Sequence, residues 1–265
     1  MSLQGKVALV TGGSGGLGRI HALTLAEKGA DVAVTGNRNL DKADAVANEI
    51  RALGRRALAV KMDVSKEDEV IQGIEKVKKE LGPVDILVNN AAIGIVRAVL
   101  IEKMSKKDWD LDLSVNLTGA FNCIKAVIPE MKEGKWGRII NVSSVTGTMG
   151  GLGQCSYAAT KAGLLGLTKT IALEGARYNI TCNAVILGVF GGENTKRGMS
   201  GVPEVSSFYD VAEPFRERII KRIAMRRQGD PRELSNVIAF IASEESSYVT
   251  GASIMVNGGS DLFTF

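Results

Sequence analysis

A chain of 265 residues, 45% hydrophobic and 23% charged, carries enough apolar material for a self-sufficient core, and this excludes a disordered or collagen-like polymer. The 33 basic residues against 29 acidic ones leave a net charge of +4, too mild to argue for nucleic acid. No uninterrupted apolar run reaches the roughly 18 residues of a membrane span, so none is expected.

Apolar runs and helix-length segments alternate from the start. Lys6–Thr11 reads as a strand, Leu17–Lys28 as a helix stopped at Gly29, and Asp31–Thr35 as a second strand. A helix over Asp41–Leu53 ends at Gly54, and Ala57–Lys61 is a third strand. The charged helix Lys66–Leu81 closes at Gly82-Pro83 and leads into a fourth strand, Asp85–Asn89. One helix is predicted over Lys107–Lys132, tolerating Pro129 near its end, before strand Arg138–Val142. Helix Tyr157–Tyr178, strand Ile180–Ile186, helices around Glu213–Met225 and Arg232–Ser243, and strand Ser253–Asn257 complete the chain. This order predicts an α/β fold: one doubly wound, Rossmann-type domain over 1–265, its seven-stranded parallel sheet covered by helices on both faces. The long polar and glycine-rich stretch 188–212 follows a strand's C-terminal end, where ligands of such sheets bind, and is expected to be a substrate lid.

The remaining composition narrows the chemistry. Cys123, Cys155 and Cys182 are odd in number and lack ligand-like spacing, so they read as buried or half-buried thiols of a reducing compartment. The N-terminus has no cleavable-leader pattern, and the cytoplasm is the expected location. His21 is the only histidine, which leaves no histidine-rich metal site, and no metal is expected. The basic stretch Arg216–Arg227 alternates with Ile219, Ile220, Ile223 and Met225. It is either the solvated face of an amphipathic helix or an attractor of an anionic substrate such as a phosphate-bearing acyl thioester. As a nucleic-acid or membrane surface it lacks a stacking platform and an anchor.

Three segments carry chemistry. Thr11-Gly-Gly-Ser-Gly-Gly-Leu-Gly18 lies between the first strand and first helix. There Gly12, Gly16 and Gly18 would let backbone approach a pyrophosphate at a helix N-terminus. The same run contains Gly12-Gly-Ser14-Gly-Gly16, the pattern of a hydrolase nucleophile elbow, but that fold needs its histidine far downstream and His21 follows at once. Tyr157 and Lys161 stand four apart on one helical face, where an ammonium stabilises a phenolate and lowers its pKa, an acid–base pair that needs no histidine. Ser144 ends the preceding strand, Asn89-Asn-Ala-Ala92 ends the fourth strand at the same sheet edge, and Asn116 lies in the helix between.

In the order and spacing of these motifs the chain resembles the short-chain dehydrogenase/reductase family, in its compact single-domain form, from Lys6 to Gly259. The resemblance implies hydride transfer between a nicotinamide dinucleotide and a hydrophobic ketone or alcohol, or a 3-oxoacyl or 3-hydroxyacyl group. Ser144 would polarise the substrate oxygen, Tyr157 exchange the proton, Lys161 hold the nicotinamide ribose and tune Tyr157, and Asn116 support a water-linked proton path. Ser14, Gly15, Leu17, Asn37, Asp63, Val64, Asn89, Asn90, Ala91, Ala92, Gly188 and Phe190 would line the cofactor. At the end of the second strand, Gly36-Asn37-Arg38-Asn39 offers no carboxylate to repel a 2′-phosphate, and Arg38 favours NADP(H) over NAD(H). Leu187-Gly188 and Gly192 depart from the family's usual residues, which keeps a non-catalytic dinucleotide-binding relative as the alternative. Val145, Thr146, Met149, Gln154, Phe190, Phe208 and Tyr209 would line a largely apolar substrate pocket. A homotetramer is the family expectation, and Leu164, Leu165, Leu167 and Ile171 would either supply its apolar contact face or be buried within the monomer.

Overall fold

The seven apolar runs all become strands, and every pairing between them is parallel. The computed structural model describes residues 1–38, 40–93, 98–191 and 213–262, and only the backbone of 213–216. Asn39, Gly192, Phe208, Tyr209 and the 192–212 portion of the expected lid lie outside the described residues. The elements are β1 (Val7–Val10), α1 (Gly16–Glu27), β2 (Asp31–Gly36), α2 (Leu40–Ala52), β3 (Ala57–Lys61), α3 (Glu67–Glu80) and β4 (Ile86–Asn89). After them come α4 (Lys106–Leu113), α5 (Gly119–Gly134), β5 (Gly137–Ser144), α6 (Thr146–Met149), α7 (Cys155–Gly175) and β6 (Ile180–Leu187). The chain closes with α8 (Glu213–Arg222), α9 (Pro231–Ile241) and β7 (Ser253–Val256). None of the described helices is long and apolar enough to cross a membrane.

The spatial order β3-β2-β1-β4-β5-β6-β7 reverses beside β1, which pairs with both β2 and β4. At such a switch point the connections leave in opposite directions and open a crevice beyond the strand C-termini. Alternation along β1 shows how the two layers form. Ala8 and Val10 face α1, α2 and α9, while Val7 and Leu9 face α3, α5 and α7. β5 and β6 are buried along their whole length, their polar Asn141, Ser143 and Asn183 side chains included.

Three differences from the sequence reading have local causes. The single helix expected over Lys107–Lys132 is two helices, α4 and α5, joined by a π turn at Ser114–Thr118 that periodicity does not reveal. α7 begins at Cys155 and its last turn tightens to a 3-10 turn, Ala176–Tyr178. α9 begins at Pro231, where Asp230 and Glu233 form a reciprocal capping box. His21 is buried in α1, and its Nδ1 lies 2.7 Å from the Ser235 hydroxyl of α9. Cys123 and Cys182 are buried free thiols, both pushed up to about 12 by burial.

Candidate active site

The glycine-rich loop is tied to the C-terminal end of β4. Backbone N–H groups of Asn90 and Ala91 each donate to the Thr11 hydroxyl at 3.0 Å, and the hydroxyl donates to the Val88 carbonyl. The Asn90 amide in turn donates to the Thr11 carbonyl at 2.9 Å and the Gly12 carbonyl at 3.3 Å. Asn90, expected against the cofactor, thus holds the loop's shape. Gly12 and Gly16 adopt left-handed φ values of 62° and 51°, which glycine alone takes without strain. Gly18 faces inward, because a Cβ there would lie 2.3 Å from the Gly12 carbonyl oxygen. α1 starts with no side-chain cap and no acid in its first turn. Its leading N–H groups are therefore not satisfied by capping side chains, which fits a phosphate group beside Ser14, Gly15 and Leu17.

A substitution tests this cradle. Gly18→Ala should cost about 1–3 kcal/mol by overpacking and weaken dinucleotide binding, read by thermal melting and by quenching of protein fluorescence. Gly134→Ala, where a methyl meets nothing within 4 Å, should change neither.

At the neighbouring edge, Ser65 donates twice to the Asp63 carboxylate, at 3.0 and 2.7 Å. Partial burial works against ionisation of Asp63, but hydrogen bonds from Ser65 and Asn37, with Lys66 nearby, outweigh it and hold the carboxyl below its ordinary value. Asn37 and Arg38 are exposed on this rim. Val64 is occupied inward: its side chain abuts Gly119, and its carbonyl accepts from the Asn122 amide at 3.0 Å.

Ser144, Tyr157 and Lys161 meet where β5 ends and α7 begins. All three are buried. Ser144 Oγ accepts from the Thr146 hydroxyl at 3.1 Å and shares a hydrogen bond with the Tyr157 hydroxyl. Lys161 Nζ donates to the Val142 carbonyl at 2.7 Å, and Ser143 Oγ donates to the Lys161 carbonyl at 2.8 Å, so β5 and α7 are laced at the site. Burial pushes Lys161 down to about 8. Burial pushes the Tyr157 phenol well up, the Ser144 hydrogen bond opposes this, and Asp112 adds to the rise. The lowered phenol pKa expected from the sequence is therefore corrected for the protein by itself. Lys161 is held by the Val142 carbonyl, with its ammonium 5.6 Å from the ring centre, and the burial effect is the larger.

The π turn carries Asn116, whose Oδ1 accepts from the Ile93 N–H at 2.8 Å while its Nδ2 donates to the Ile93 carbonyl at 3.0 Å. Its amide thus fixes the segment that follows β4, which contains Ala91 and Ala92. Asn89 turns inward and donates to Asn141 at 2.9 Å. Gly188 N–H donates to the Val256 carbonyl, and a Cβ at Gly188 would press on Asn257. The Phe190 ring, expected at the cofactor and the pocket, belongs to the core, where it packs on Gly229.

Val145, Thr146 and Gln154 are half-buried, while Met149 is exposed. Sequence reasoning missed their apolar neighbours. Val99 N–H donates to the Gly153 carbonyl at 2.8 Å, bringing exposed Leu100 and Ile101 toward Leu152, which is 90% exposed. These residues sit in irregular loops, where no periodicity marks them. Asp112 was missed as well, because its position in an otherwise charged helix reads as solvated.

Comparisons with known proteins identify the family. The family described as short chain dehydrogenase matches residues 6–200. The 3-oxoacyl-(acyl-carrier-protein) reductase FabG of Staphylococcus epidermidis is 42% identical over 254 residues, covering 96% of this chain and 98% of that one. The FabG of Thermotoga maritima is 40% identical, with 98% and 99% covered, and an acetoacetyl-CoA reductase of Shinella zoogloeoides is 40% identical, with 96% and 98% covered. A crystal structure of a candidate short-chain alcohol dehydrogenase from Sinorhizobium meliloti 1021 superposes with a TM-score of 0.90 at 35% identity, covering 99% of each chain. With its site at the carboxyl edge of a seven-stranded parallel sheet and its match across most of the sequence, the chain belongs to the short-chain dehydrogenase family of oxidoreductases.

Proposed function

We propose that the chain is an NADP(H)-dependent reductase of 3-oxoacyl thioesters and related hydrophobic ketones, with NAD(H) the weaker cofactor. The gathering of Ser144, Tyr157 and Lys161 beside the β1–β4 crevice carries this reading, and the reductases among the relatives support its substrate class. The dinucleotide, when bound, supplies or accepts the hydride. Gly12, Ser14, Gly15, Gly16 and Leu17 would hold its pyrophosphate, and Asp63 and Ala91 would flank it. Reduction of a carbonyl develops negative charge on its oxygen, which needs a preset donor and a proton source. Ser144 Oγ is the donor. The Tyr157 hydroxyl, kept protonated by burial, gives up its proton. Lys161 holds its own helix to β5 and sets positive charge under the ring. A protonated phenol suits reduction. Nothing in the geometry favours the non-catalytic alternative.

Purified protein should turn over a panel of 3-oxoacyl-CoA esters and hydrophobic ketones, with kcat/KM higher with NADPH than with NADH. Arg38→Ala should cut that preference about tenfold, roughly 1.4 kcal/mol. Absence of turnover on every substrate would remove the reductase reading, and an NADH preference indifferent to Arg38→Ala would remove the cofactor reading.

We also read the chain as a single catalytic domain working in the cytoplasm as a homotetramer. Leu164, expected on the contact face, is buried within the chain, and Leu165, Leu167 and Ile171 are half-buried. Phe121 of α5 and Leu173 of α7 are 47% and 82% exposed and support an apolar contact instead. Light scattering in solution tests it.

A further inference from the structure

Asp112 is wholly withdrawn from solvent, in α4, one turn before the π turn that carries Asn116. Ser156, itself 1% exposed, donates to Asp112 Oδ2 at 2.5 Å. Ser156 immediately precedes Tyr157 in the first turn of α7, so this contact joins α4 to the backbone that aims the phenol. Burying a carboxyl is costly unless partners compensate, and an aliphatic side chain would fill the same space without that cost. A carboxyl kept in such a place, against the acid–base residue, calls for a role there.

We propose that Asp112 is a positioning residue for Tyr157: through Ser156 it anchors the first turn of α7 and so aims the phenol. This rests on the reductase reading above. The groups facing the Tyr157 hydroxyl are identifiable among the described residues. Ser144 of β5 hydrogen-bonds the phenol, and next in line are neutral Thr146 of α6, bonded to Ser144, neutral Asn116 of the π turn, bonded to Thr160, and Lys161 of α7, 5.6 Å from the ring centre. The charged side chains of α5 point elsewhere, Lys125 to Glu67, Glu130 to Lys78 and Lys132 to the Tyr178 ring, while exposed Glu133 acts on Lys78. β6 faces α7 with Ile180 and Cys182. Asp112 is the remaining charge, and a like charge disfavours phenolate, in keeping with its effect on Tyr157. The consequence is a phenol that holds its proton until the substrate oxygen demands it, biasing the site toward reduction.

The test uses Asp112→Asn, which keeps an acceptor for Ser156 and removes the charge, and Ser156→Ala, which keeps the charge and removes the tie. Tyrosine labelled with 13C at Cζ reports phenol ionisation by NMR with and without NADP+, the signal being assigned through Tyr157→Phe. Asp112→Asn should move the Tyr157 titration to lower pH by about half a unit or more, and move the alkaline limb of alcohol oxidation with it. Ser156→Ala should lower kcat severalfold with KM and the titration midpoint retained. Coincident titrations of wild type and Asp112→Asn, or an unaltered kcat in Ser156→Ala, would overturn the proposal. Wild-type turnover on the substrate panel judges the reductase reading separately, because the NMR titration requires no turnover.

Discussion

Tyr157→Phe should leave the fold and dinucleotide binding intact while lowering kcat/KM for ketone reduction by about 10²–10⁴-fold. The ring is 3% exposed and packed at the start of α7, so phenylalanine fills the same volume. The loss is confined to one O–H. Ser144 keeps the Thr146 hydroxyl as a partner at 3.1 Å, so no buried acceptor is orphaned there. Stability should therefore change by no more than the ~1 kcal/mol of a single net hydrogen bond. Steady-state kinetics beside a thermal melt check both halves. Reduction at near wild-type rate in this variant would mean that the proton comes from elsewhere, and Tyr157 would lose its assigned role.

The second large effect concerns stability in mild acid. Burial pushes His21 down to about 3 from its ordinary 6.5, so the folded protein keeps a neutral imidazole. Above pH 6.5 the ring is neutral in both states and stability is independent of it. Between 6.5 and 3 the unfolded chain takes up a proton that the folded one refuses, and stability falls as pH falls. The slope is about 1.4 kcal/mol per pH unit, which accumulates to roughly 2 kcal/mol at pH 5. His21 is the only histidine, and the carboxylates held low by ion pairs, such as Glu233 at about 2, titrate further down, so His21 dominates the interval from pH 6.5 to 5; Asp85, whose carboxyl burial raises, acts in the opposite sense and equally in wild type and variant. Urea denaturation at several pH values should show this slope in the wild type and a flatter one in His21→Gln, whatever the absolute stability of the variant. Equal slopes would place the proton uptake elsewhere.

Much of this architecture was legible because buried parallel strands are rich in apolar residues, as Val7–Val10 is throughout and β6 is over its last four residues, Ala184–Leu187. The arrangement of residues at the sheet edge was legible for a related reason. Gly12 and Gly16 occur where backbone must turn left-handed, and Tyr157 and Lys161 share a helical face. What escaped depends on side-chain direction. Asn90 reads as a cofactor contact from its place after β4, yet its amide closes on Thr11 and Gly12. Phe190 reads as pocket lining, yet a glycine at 229 gives its ring a seat in the core. Asp112 sits in a segment, Lys106–Leu113, whose composition suggests solvent all round, and only the approach of α7 reveals that one of its carboxylates is enclosed.

The π turn between α4 and α5 adds one residue to the helical path, and that extra residue works as a phase shifter. It lets Asn116 grip Ile93 while Cys123, Ile124, Val127 and Met131 still meet the sheet. Excising a single residue from Ser114–Thr118 would restore an ordinary ladder and rotate everything after it by about 100°. Either the amide would swing off the segment behind the crevice, or the apolar stripe of α5 would turn toward water. The π turn thus couples the grip on Ile93 to core packing, and a deletion that looks locally like a repair would uncouple the two.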